Sequence, residues 1–223
     1  PAPGPVASAA ASAPSDTSVY GLYLAGQAAL DSGDSRAATE FFGQASAKSP
    51  GAPYLKNRVF AAALMAGEVD KAAAMAPTGP DVDPGERILG VLARAVDAMA
   101  EDRGEDAYKE LSGAVDLAHG GAAIALLKPW AAAQAGHTEA SLAMPELDDR
   151  LTRIVASIDQ ALLMERAKKY GEAETNFRSL LSDRAGLPLL AASYGPFLER
   201  RGRRKDALEL YDQVLAISPD DPE

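Results

Sequence analysis

His119 and His137 are the only imidazoles in this chain, and they are the first places to look for chemistry. Histidine titrates nearest neutral pH, so it serves as a general base or a metal ligand. His119 stands in AHGG and His137 in AGHTEA, with no second histidine or carboxylate at ligand spacing on the same helix. At a helix end, His119 is better placed to complement the helix dipole. The run GPDVDPGE gathers carboxylates. A calcium loop of the EF-hand kind, however, needs alternating ligands, a central glycine and a glutamate at its twelfth position. That spacing is missing, so the run reads as a solvated capping loop, and Asp148-Asp149 and Asp220-Asp221 read the same way. Arg200, Arg201, Arg203, Arg204 and Lys205 straddle one turn, as a solvated tip or as a phosphate or partner site. No nucleophile elbow, phosphate-binding glycine loop or zinc-protease motif occurs. The chain has no cysteine, which removes disulfides and thiolate chemistry from these residues. The expectation is therefore no catalytic residue, no metal and no cofactor: a chain that is not an enzyme.

The elements that position these residues read as helices throughout. Of 223 residues, 47% are hydrophobic but only 6% aromatic, and much of the apolar content is alanine. Alanine is the best helix former and permits close helix packing. A net charge of −10 disfavours nucleic acid and anionic membrane as partners. No apolar stretch is long and uninterrupted enough to predict a transmembrane segment. Residues 1–18 are mostly Pro, Ala, Ser and Gly with one charge, Asp16, and predict a flexible linker.

From Val19 onward one rhythm recurs. Gly202, Ala207, Tyr211, Val214 and Pro219 repeat the spacing of Gly33, Ala38, Phe42, Ala45 and Pro50. Between these copies Gly67 and Ala72 lie 34 residues after Gly33 and Ala38. Ala173, Phe177 and Leu180 lie 34 residues before Ala207, Tyr211 and Val214. Ala107 and Leu111 continue the ladder in a third unit, while Gly136, Ala140 and Leu147 fit a fourth only loosely. Fixed-period self-similarity marks a repeat architecture. Glycine ends a helix and Asp or Ser caps the next, so each unit is two helices and a short turn. Asp83-Pro84-Gly85-Glu86 is a helix start, with Asp as cap and Pro first inside. Pro129 and Pro196 fall midway along first helices, which predicts a shared kink or else the start of two shorter helices.

This pattern resembles the tetratricopeptide repeat (TPR) family. The family's small residue in the first helix is matched by Gly26, Ala161 and Gly195, and its small residue early in the second by Ala38, Ala72, Ala107, Ala173 and Ala207. Its aromatic is matched by Phe42, Phe177 and Tyr211, and its closing proline by Pro50 and Pro219. The resemblance implies an all-α fold, a right-handed α-solenoid of stacked helix-turn-helix repeats. Six hairpins are expected, over 19–52, 53–87, 88–121, 122–153, 154–187 and 188–221.

The resemblance also implies that first helices line a concave groove that binds a protein or peptide. The lining residues would be Tyr20, Tyr23 and Gln27, then Tyr54, Asn57, Arg58 and Ala61, then Leu92, Val96 and Met99. Tyr23 and Gln27 stand where the family's chaperone-tail readers carry the Lys and Asn of a carboxylate clamp, so that ligand is not expected. An aromatic and apolar groove suits an extended peptide or an amphipathic helix. An alternative is that the tail or closure of the superhelix covers these residues. Leu208, Leu215 and Ile217 would be partly uncovered at the last repeat, which predicts a piece of a longer array or a homodimer through that end. The expected function is a protein-protein interaction scaffold, with a bacterial cell-envelope assembly factor as one setting, periplasmic or membrane-tethered, and the cytoplasm as the other. The alternatives are an accessory domain of a larger enzyme or transferase, or a self-association module.

Overall fold

A computed structural model describes residues 18–79, 81–114, 121–182 and 186–217. His119, the tail before Ser18, and Pro219 to Asp221 lie outside the described residues. Within them the chain is all-helical, as the composition and rhythm predict. It divides into two compact units, Pro1–Val82 and Asp83–Glu223.

The first unit holds α1 (Val19–Asp31), α2 (Ser35–Lys48), α3 (Pro53–Ala66) and α4 (Val69–Met75). Ser18 belongs to the fold rather than to a linker, since its side chain accepts the Gly21 N–H and caps α1. α2 packs against both α1 and α3. Phe42 and Leu55 are fully buried there.

The second unit holds α5 (Pro84–Ala100), α6 (Gly104–Gly113), α7 (Gly121–Ala135), α8 (Thr138–Leu142), α9 (Arg150–Arg166), α10 (Tyr170–Ser179), α11 (Leu187–Arg200) and α12 (Arg204–Ile217). α5 packs on α6 and α7; α7 packs on α6, α8 and α9; α9 packs on α8, α10 and α11; α11 packs on α12. Gly104 lets α6 meet the end of α7, because a Cβ there would stand 2.8 Å from the Ala135 nitrogen.

Four helices start before the expected hairpin boundaries: α7 at Gly121 and α11 at Leu187 by one residue, and α5 at Pro84, where Asp83-Pro84-Gly85-Glu86 predicts a helix start, and α9 at Arg150 by four. For α5 and α9 the cause is local: the Asp83 and Asp149 side chains accept N–H bonds from the residues that follow and add a turn to each helix.

One device recurs at six turns. Gly33, Gly67, Asp102, Gly136, Lys168 and Gly202 all have positive φ, between 57° and 84°. After each, the next N–H reaches back five residues: Asp34 to Ala29, Glu68 to Ala63, Arg103 to Ala98, His137 to Ala132, Lys169 to Met164 and Arg203 to Leu198, at 2.8–2.9 Å. This is the Schellman closure of a helix C-terminus. Four of the six are glycines, which adopt this backbone without a Cβ clash. The residue five places on is small and buried every time: Ala38, Ala72, Ala107, Ser141, Ala173 and Ala207. In the fourth hairpin that residue is Ser141 rather than the expected Ala140, which is half-buried. The serine fits because its hydroxyl donates to the Thr138 carbonyl and leaves no polar group unpaired.

Pro129 and Pro196 lie inside continuous helices, so neither starts a shorter one. Each removes one backbone donor, that for the carbonyl four residues earlier.

Candidate interaction face

On the first unit, Tyr20, Tyr23, Leu24 and Gln27 recur at three- and four-residue spacing on α1, while Tyr54, Asn57, Arg58 and Ala61 do so on α3. The structure joins the two rows. The Tyr23 ring meets the Tyr54 ring edge-on at 6.3 Å, and the Arg58 guanidinium sits 5.9 Å over the Tyr23 ring. On its other side Tyr23 reaches Phe42 in the core, at 5.7 Å. Tyr23 is therefore half-buried and serves the fold as well as the face. Tyr20 and Tyr54 are 71% and 57% exposed, large apolar surfaces left in water. Asn57 and Arg58 are exposed too. Gln27 is half-buried, with its side-chain oxygen covered and without a hydrogen-bond partner among the described residues. Leu24, not among the expected lining residues, is also exposed. Its three-residue spacing before Gln27 was the available signal.

Leu92 and Val96 belong to the second unit, on α5. Leu92 packs against the core of α5, α6 and α7, and Val96 is exposed. Met99 is partly buried against the same core, and its carbonyl accepts a bond from Gln134 at 3.0 Å.

Several titratable residues tie helices together or cap them. His137 meets the Glu105 carboxylate at 2.7 Å, a partner from α6 that spacing along one helix does not reveal. That bond, and Lys109 beside it, hold the Glu105 carboxyl below the usual glutamate range. The Tyr108 ring lies 4.9 Å from His137 on the same side. Asp83 and Asp149 are spent on helix caps, and the bonds from Thr152 hold Asp149 below the usual aspartate range. Three members of the basic cluster are occupied. Arg200 is bidentate to Glu165, Arg203 binds Glu174 and Asp206, and Arg201 stacks 4.0 Å over Tyr170. Burial pushes the Asp159 carboxylate of α9 upward, while the Trp130 indole donates to it. No group of three or more His, Asp or Glu side chains that could hold a metal ion occurs among the described residues. None of the described helices is long and apolar enough to cross a membrane. No protein-family model and no curated protein matches this chain.

Proposed function

We propose that this chain is a non-catalytic protein-interaction scaffold. In this reading it is a right-handed α-solenoid of TPR-like hairpins, whose first helices hold a peptide or helix of a partner protein. The observation that carries the reading is the contact of Tyr23 with Tyr54 and Arg58 across α1 and α3, on helices that also leave Tyr20 and Tyr54 mainly in water. Exposed aromatic rings beside an arginine are the side chains that dominate protein interfaces. The recurrent Schellman turns support the repeat part of the reading, because each closes one hairpin in the same way.

The test exchanges Tyr20 and Tyr54 for alanine together. Both rings are mainly in water, so the melting temperature should move little while partner binding is lost. Tyr23 is the wrong choice for this purpose because it also packs on Phe42. Retained binding by the double variant would remove the face from consideration.

A second reading, self-association, is favoured by α12. Leu208 and Leu215, two turns apart on that helix, are 50% and 61% exposed. The Ile217 side chain is not among those described. Light scattering at high concentration decides: a dimer that Leu208→Glu with Leu215→Glu dissolves supports it, and a monomer rejects it.

A further inference from the structure

We infer that the segment received by the α1–α3 face is acidic, with a carboxylate that meets Arg58 beside apolar residues lodged on Tyr20 and Tyr54. This rests on the proposed docking role and adds the chemistry of the partner.

The chain carries 32 acidic and 22 basic residues, but the acids are unevenly placed along it. Arg36, Arg94, Arg103, Arg178, Arg200 and Arg203 each have a carboxylate within ion-pair distance. Arg58 has none among the described residues, as is also true of Arg87, Arg153, Arg166, Arg201 and Arg204; its guanidinium lies over a tyrosine ring on two helices that are nearly free of acid. The local sequence explains why. α3, PYLKNRVFAAALMA, contains no acid, and α1 contains none before its last residue, Asp31. Asp31 is eight residues beyond Tyr23, the ring under Arg58, about 12 Å along the helix axis.

A guanidinium stacked on a ring keeps its edge free, and that edge is a forked donor that matches a carboxylate. The exposed Tyr20 and Tyr54 rings of the same two helices supply apolar surface. A basic partner segment would meet a like charge there, and a neutral one would leave the donors to water. The face thus selects Asp or Glu placed next to aromatic or aliphatic residues.

The test uses the full chain and three capped synthetic peptides of one Leu/Phe frame, with Glu, Gln or Lys at the polar positions. Fluorescence anisotropy reads affinity. The Glu peptide should bind roughly 1.5-fold to fivefold more tightly than the Gln peptide, the range of one exposed charge pair, and the Lys peptide most weakly. Arg58→Gln should abolish that preference and leave the Gln peptide unchanged, and salt should weaken it. Arg58→Lys should retain part of it. Tyr54→Ala should weaken all three peptides alike. Equal binding of the Glu and Gln peptides, or a preference that survives Arg58→Gln, overturns the acidic partner and leaves the docking face standing. Absence of binding by all three overturns the docking reading, and the inference with it.

Discussion

Gly26 of α1 lies so close to the Phe42 ring of α2 that a Cβ at position 26 would stand 2.6 Å from Cε1. Gly195 stands in the same relation to Tyr211, sixteen residues on in both cases. Phe42 is fully buried and cannot swing into solvent. Gly26→Ala should therefore destabilise the first unit by about 1–3 kcal/mol, the usual cost of overpacking. Adding Phe42→Leu to that variant should cost less than its effect in the parent chain, because the two share one space. Urea midpoints of the four proteins measure the coupling.

Lys168 carries a φ of 62° at a turn where four of the other five positions are glycine. A Cβ in that region costs roughly 1–2 kcal/mol, and glycine escapes it while losing more chain entropy. Lys168→Gly should stabilise the protein by about 0.5 kcal/mol, and Gly33→Ala should destabilise it by about 1 kcal/mol. Thermal melts of both against the parent give the signs.

Asp159 is held above the ordinary aspartate value of 3.8 by burial. The folded state then binds its proton more tightly than the unfolded one, so stability falls as pH rises through that region. Asp159→Asn can still accept the Trp130 N–H. It should raise the melting temperature at pH 7 and make no difference well below pH 3.8. Trp130 is the only tryptophan, so its emission reports the same titration.

Glu174 is displaced the other way. The Arg203 guanidinium holds its carboxyl below the ordinary value of 4.5. That contribution is present at neutral pH and lost as pH falls from the ordinary value through the lowered one. Glu174→Gln should lower stability at pH 7 and flatten the acid limb of the stability profile. Melting temperatures from pH 2 to 7 check both.

The helical class was legible because its signals are local. Glycine at a turn, proline at a first turn and aspartate before it each act on backbone within a few residues, so α3, α5 and the turns at Gly33, Gly67, Gly136 and Gly202 could be read in advance. Asp102 and Lys168 could not, since their residue types do not announce a left-handed backbone; only their place in the rhythm does. Ala140 was mistaken for Ser141 for a related reason: alanine is the commoner match, and only the burial of the serine with a hydrogen-bonded hydroxyl shows which residue takes the place.

The sequence alone determined which residues sit on one side of α1 and which on one side of α3, because 3.6 residues per turn is a property of a single helix. Only the tertiary structure decided that Arg58 lies over Tyr23, that the Gln27 oxygen is covered, and that His137 finds Glu105 thirty-two residues away. Those outcomes depend on how neighbouring helices cross and on which rotamers their packing permits. No spacing along one helix encodes either.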